Sequence, residues 1–116
     1  VTFGCCKRPG NDFVLIHSFC AKSPGDVVFI VINISKTKPI NLNVAMGNTR
    51  TEYLLRPNEN GYQSREVQLN GERMSLDNGA LPEVHGRLRR REELAHIPPI
   101  SIAFLAVHEA GVGECT

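Results

Sequence analysis

The sequence predicts an all-β fold, an antiparallel β-sandwich of about seven to eight short strands. Three observations lead to it. Apolar stretches of strand length recur along the chain, turn residues separate them at intervals of roughly 8–12 residues, and no long amphipathic helical stripe interrupts them.

Taken in order, Phe13 to Cys20 reads FVLIHSFC, an apolar and β-branched run suited to a strand. After the turn Pro24-Gly25-Asp26, Val27 to Ile34 is apolar almost throughout and is expected to be a central strand buried on both faces. Ile40, Leu42, Val44 and Met46 alternate with Asn41, Asn43 and Ala45, the period of two expected when one face packs on a core. Arg50 to Arg56 gives a further strand, stopped by Pro57 and the loop Asn58-Glu59-Asn60-Gly61. Val67 and Leu69 lead into Asn70-Gly71, a pair suited to a type I′ turn, with Met74 and Leu76 on the return strand. Asp77-Asn78-Gly79 turns the chain again, and an irregular stretch runs from Leu81-Pro82 to Pro98-Pro99, with a short helical turn expected within Arg87 to Ala95. Ile100 to His108 closes the set as the last strand.

The length of 116 residues fits one domain. Residues 1–12 are read as a lead-in or linker and residues 13–116 as the sandwich. No apolar run approaches the ~20 residues that span a bilayer, so no membrane insertion is expected. The 13 Lys and Arg residues balance 12 Asp and Glu to a net charge of +1, which gives no overall attraction to nucleic acid. Any polyanion site has to be a local patch. Val1 is not a methionine and begins no signal-peptide pattern, which suggests numbering that starts inside a processed or truncated precursor.

Candidate chemistry is sparse. His17, His85, His96 and His108 match no zinc spacing, and the adjacent Cys5-Cys6 lacks the intervening residues of a metal hook. Gly61-Tyr62-Gln63-Ser64-Arg65 only approaches a nucleophile elbow, and no phosphate-cradling loop is present. No catalytic residue, metal or cofactor is therefore assigned. Arg87, Arg89, Arg90 and Arg91 form one basic run that suits sulfate or carboxylate groups of a glycosaminoglycan or another acidic polysaccharide. Glu92 and Glu93 follow at once, and a mixed-charge solvated loop is the simpler reading. Lys7 and Arg8 would extend the basic surface only if the fold brought them near. Asn33-Ile34-Ser35 fits the N-glycosylation pattern, against the alternative of an Asn side chain that satisfies a turn.

Four cysteines suggest an oxidising compartment, with buried reduced thiols as the alternative. Cys5 and Cys6 lie too close along the backbone for ordinary disulfide geometry. They are expected to be free or paired outside this chain. A bond between Cys20 and Cys115 would close a loop of about 95 residues, for which the chain-entropy model gives roughly 4–5 kcal/mol.

The ordered blocks Tyr53-Leu54-Leu55-Arg56-Pro57, Ser64 to Gly71 and Leu81-Pro82, within a likeness running from about Phe13 to Cys115, resemble the C-terminal domain of heparanase-like endo-β-glucuronidases, glycoside hydrolase family 79. The resemblance implies a sandwich packed on a catalytic (β/α)8 barrel and completed by a strand that precedes the barrel. An unpaired edge or an exposed apolar face is then expected here. It also implies a disulfide between Cys20 and Cys115, although Phe19 stands where the family usually has His. The family's two catalytic glutamates belong to the barrel and map to nothing in this chain.

The expected function is that of a noncatalytic domain which docks on and stabilises the barrel of a secreted, extracellular or lysosomal enzyme acting on β-glucuronide linkages in acidic polysaccharides. The competing expectation is a standalone secreted module that holds an acidic polysaccharide or a cell-surface partner through the arginine run. A third is a homologue whose barrel has lost its glutamates.

Overall fold

A computed structural model describes residues 2–3, 14–58, 63–75, 79–80, 83–111 and 113. Its elements in chain order are β1 (Thr2–Phe3), β2 (Val14–Cys20), β3 (Val27–Asn33), β4 (Ile40–Val44), β5 (Thr49–Pro57), β6 (Val67–Leu69), β7 (Glu72–Arg73), β8 (Arg87–Arg90), β9 (Ala95–Ile97) and β10 (Ser101–His108). They form two sheets, a sandwich of unequal halves. The large sheet runs β2-β3-β10-β5-β6-β7, with β8 also paired to β5, and the small sheet runs β1-β4-β9. All pairings are antiparallel except β1 with β4.

Side-chain alternation decides what each strand buries. On β3, Val27, Phe29 and Val31 point inward and are buried, while Val28, Ile30 and Ile32 are only half-buried on the other face. β3 is central, between β2 and β10, but the expected burial on both faces is corrected to burial on one. Opposite β3, the register sets Ala103, Leu105 and Val107 of β10 on the same inner face. Across the interior, Ile40, Leu42 and Val44 of β4 and Ala95 and Ile97 of β9 complete a continuous apolar core. The alternation read from Ile40 to Val44 holds residue by residue, and Met46 packs on the core from beyond the strand end.

Two local expectations need correction. Arg87 to Ala95 contains no helical turn; its first part is β8, antiparallel to Thr49–Glu52 of β5, and its last residue opens β9. The segment lacks an apolar stripe to hold a helix against the core, whereas β5 offers an unfilled backbone edge. The return strand after Asn70-Gly71 is shorter than expected: β7 holds only Glu72–Arg73, Met74 contributes a backbone bond to Val67, and Leu76 lies outside the described residues. The turn itself is as expected, with positive φ at Asn70 (51°) and Gly71 (86°).

Asn33 ties the two sheets together. It is 1% exposed, and its side-chain Nδ2 donates to the carbonyls of Lys38 (2.9 Å), Ile97 (3.3 Å) and Pro98 (3.0 Å), while Oδ1 accepts from the Ser35 amide at 3.0 Å. All of its polar capacity is spent on neighbouring backbone. Asn70 plays a similar part at the hairpin tip. Its Oδ1 accepts from the Leu54 amide (2.8 Å), and its Nδ2 donates to the carbonyls of Glu52 (3.1 Å) and His85 (2.9 Å).

Candidate functional site

Period-two alternation gives the large sheet a second face, turned away from the core. From β2 it carries Leu15, His17 and Phe19; from β3, Val28, Ile30 and Ile32; from β5, Tyr53 and Leu55; and from β10, Ile102, Phe104 and Ala106. Directly paired residues share this face, so Leu15, Ile32, Ile102 and Leu55 form one apolar row across four strands. Val67 joins them through its pairing with Pro57. Leu15, Phe19, Val67 and Ile102 are exposed rather than packed. An outer face this apolar is unusual for a sheet turned to water, where polar residues normally alternate with the core set.

Near one end of the row, Ile32, Ile34, Leu55, Pro57, Val67 and Ile102 line an open groove of about 460 Å³ with Lys36 and Arg56 among its walls. At the opposite end the face becomes polar. His108 lies between Asp26 (Nδ1 to Oδ2, 3.3 Å) and Thr51 (Nε2 to Oγ1, 2.8 Å), and the other Asp26 oxygen accepts from the Glu109 amide at 2.9 Å. The carboxylate–imidazole–hydroxyl order resembles a hydrolytic relay, but here the groups hold the start of β3, the end of β10 and the start of β5 together. Gly86 lies against Thr51 and Tyr53 so closely that a Cβ on it would sit 2.2 Å from the Thr51 methyl.

The arginine run is divided by its own strand. Along β8 the side chains of Arg87 and Arg89 take one side and those of Leu88 and Arg90 the other. Arg87 donates to the Asn70 carbonyl (2.9 Å), Arg91 to the Ala45 carbonyl (3.3 Å), and Arg89 to Glu93 Oε2 (3.1 Å) with Glu52 also 3.7 Å away. The four guanidinium groups thus do not converge on one site. Arg50, which the sequence reading passed over, is the central cation: it is 1% exposed, pairs with Glu52 at 2.8 Å, and donates to the carbonyls of Arg90 and Glu93. Glu93 is held below the usual carboxylate range, first by the Arg90 amide and then by the Arg89 side chain. The network locks the β8–β9 turn onto β5.

The histidines stay apart: His17 on the outer face, His85 near Glu83, His96 bonded to Asn41, and His108 in its clamp. Among the described residues no group of three or more His, Cys, Asp or Glu is placed to hold a metal ion. Cys20 is disulfide-bonded. Its expected partner Cys115, like Cys5, Cys6, Lys7 and Arg8, lies outside the described residues.

β9 is an edge strand of the small sheet. Beside it lies a slot of about 270 Å³, floored by Leu54, Ala103 and Leu105 and walled by Glu52, Arg87, Arg89 and His96. Among the described residues, three strands of the small sheet face seven of the large one, and none of them covers the inner face at this slot.

No protein-family model matches the chain. Among curated proteins it is 31% identical over 106 residues to the baicalin-β-D-glucuronidase of Scutellaria baicalensis, a match covering 88% of this chain and 20% of the relative. It is 30% identical over 121 residues to inactive heparanase-2 of human and mouse, covering 93% of this chain and 20% of theirs. The chain therefore spans about a fifth of the length of these relatives. Among solved structures, the thermostable GH51 α-L-arabinofuranosidase of Thermotoga petrophila shares the fold, with a TM-score of 0.53 and 13% identity over 83% of this chain and 19% of that one. The chain is thus a β-sandwich similar, over about nine-tenths of its length, to one domain-sized part of these larger heparanase-like proteins.

Proposed function

We propose that the chain is the noncatalytic C-terminal sandwich of a heparanase-like glycoside hydrolase, docking on a catalytic (β/α)8 barrel and stabilising it. The observation that carries this reading is the apolar outer face of the large sheet, with Leu15, Phe19, Val67 and Ile102 exposed on it. Burying such a surface stabilises by about 25 cal/mol for each Å² of apolar area, which favours a partner that covers it over water. The relatives supply the setting, since about four-fifths of their length lies outside the matched region.

In this reading the barrel supplies both carboxylates of a retaining β-glucuronidase, and this chain supplies none. The slot beside β9 is where a further strand would complete the small sheet. The parent is read as secreted or lysosomal, with Cys20 bonded to Cys115 across the first and last long strands. Asn33 is read as structural. A glycan would have to occupy the nitrogen that donates to Lys38, Ile97 and Pro98, so the sequon is expected to stay unmodified in the folded domain.

The standalone polysaccharide-binding alternative is weaker on geometry, because Arg87, Arg89, Arg90 and Arg91 are split between two sides of β8 and the turn after it. The deciding measurement is the mass of the native gene product, detected with an antibody against this domain. A product several times larger than 12.8 kDa supports the docking domain and directs the next assay to β-glucuronidase activity. A product near 12.8 kDa overturns it.

A further inference from the structure

The sequence holds three Asn-Gly pairs, Asn60-Gly61, Asn70-Gly71 and Asn78-Gly79. Asparagine followed by glycine is prone to deamidation, because a residue without a side chain leaves its amide nitrogen free to approach the asparagine Cγ. Of these asparagines, Asn70 lies among the described residues, at the first position of the turn between β6 and β7. Every polar group of Asn70 is engaged. Its amide donates to the Leu54 carbonyl at 2.8 Å, its Oδ1 accepts from the Leu54 amide at 2.8 Å, and its Nδ2 donates to the carbonyls of Glu52 (3.1 Å) and His85 (2.9 Å). Its own carbonyl accepts from the Arg87 guanidinium at 2.9 Å. Leu55 pairs with Leu69, so Leu54 is the next rung of the ladder, and there the Asn70 side chain stands in for the backbone carbonyl that meets Arg87 instead.

We infer that Asn70 is a covalent modification site gated by the fold: the closed hairpin protects it from deamidation, and once the hairpin opens it reacts to a product that cannot rebuild the same contacts. The chemistry needs water alone. The Gly71 amide nitrogen attacks Asn70 Cγ, gives up its proton and expels the side-chain nitrogen as ammonia, leaving a cyclic imide. Water then adds to either imide carbonyl and breaks one of its C–N bonds, giving aspartate or isoaspartate with no change of oxidation state. In the closed hairpin Cγ cannot swing toward the Gly71 nitrogen without breaking the side-chain bonds to Leu54, Glu52 and His85 together. Neither product restores them. Aspartate keeps an acceptor for the Leu54 amide, but its second oxygen faces the Glu52 and His85 carbonyls, which lose their donor and meet a negative charge. Isoaspartate lengthens the backbone by one carbon inside a turn fixed by positive φ at both Asn70 and Gly71, and so displaces Glu72 from its pairing with Leu69. A chain that has opened and reacted therefore returns to a hairpin held more weakly on β5.

The test incubates the 116-residue chain at mildly alkaline pH, folded and in urea, and follows each Asn-Gly pair by peptide mass mapping, with labelling by an isoaspartate-specific methyltransferase as a second readout. In urea Asn70 should convert at a rate like those of Asn60 and Asn78, and in the folded chain it should convert more than about tenfold more slowly. Asn70→Asp, made directly, should lower the urea midpoint of the chain and speed hydrogen exchange at the Leu54 amide severalfold. Equal conversion of Asn70 in the folded chain and in urea would overturn the gating, as would an Asn70 that stays intact in urea while Asn60 and Asn78 convert. An Asn70→Asp chain with the midpoint and Leu54 exchange of the unaltered protein would overturn the loss of contacts in the product.

Discussion

The two faces of the large sheet are built from the same strands and nearly the same residue types, yet they end in different surroundings. On the inner face Val31 and Leu105 are 0% and 1% exposed, whereas on the outer face Ile102 and Phe19 are 38% and 51% exposed. The difference lies in what faces each of them. Ile40, Leu42, Val44 and Ile97 of the small sheet cover the inner side, and no described element covers the row of Leu15, Ile32, Ile102 and Leu55. Composition alone therefore does not identify a core; an apolar face becomes core only when a second layer meets it.

The sharpest way to break this comparison is to place the same charge on each face. Leu105→Asp buries an unpaired carboxylate in the core and should abolish cooperative unfolding of the chain, a loss of more than about 4 kcal/mol by urea titration. Ile102→Asp, three residues away but on the outer face, should change the stability of the isolated chain by less than about 1 kcal/mol while sharply lowering the yield of folded full-length protein. Equal effects of the two substitutions on the isolated chain would mean that the outer face is packed in solution.

Gly86→Ala tests the part of the outer face that this chain covers for itself. Its added methyl meets the Thr51 methyl and the Tyr53 ring, and the expected cost is about 1–3 kcal/mol. Asn33→Ala should cost a similar or slightly smaller amount, about 1–3 kcal/mol, by removing the donor that the Lys38, Ile97 and Pro98 carbonyls share, although Pro98 keeps its bond from the Ser101 hydroxyl. The same sample answers the glycan question: treatment with an N-glycan amidase should leave the mass of the unaltered protein unchanged, and a loss of mass would show that Asn33 is modified.

The smallest expected effect is electrostatic. Because Glu93 titrates below its ordinary value of 4.5, its interactions stabilise the folded chain above that value and are lost as pH falls through the folded-state pKa. Glu93→Gln should therefore lower stability slightly near neutrality, match the unaltered protein at low pH where Glu93 is protonated, and so flatten the acid limb of the stability–pH curve. A change of similar size at pH 7 and pH 3 would remove the titration account.

Much of the fold was legible because alternation and turns are local signals. Ile40 to Val44 alternates as the structure does, and Asn70-Gly71 turns where its φ preferences require. Arg87 to Ala95 misled because its strand depends on a partner edge some 40 residues earlier, which no local pattern displays. The outer face was misread in an instructive way. The unbroken run from Val27 to Ile34 signals burial on both sides, and this chain provides cover for one; under the proposed docking, the second layer belongs to the rest of the parent. The role of Arg50 left no mark in the sequence, since an arginine alternating among Thr49, Thr51 and Glu52 looks solvated until the β8–β9 turn closes over it.

The place of β10 in the large sheet also governs when this domain can assemble. It is the last strand in chain order but sits between β3 and β5, pairing with both along nearly its whole length. While the ribosome is still making residues before Ser101, β2 and β3 have no bridge to β5 and β6, and two half-sheets with open apolar edges must wait. Closure then joins segments far apart in sequence, a slow step for an all-β chain and one that exposes it to aggregation in the meantime. Closure of the large sheet therefore waits on synthesis of β10, and a chaperone that shields β3 and β5 during that interval is expected to raise the yield of folded protein.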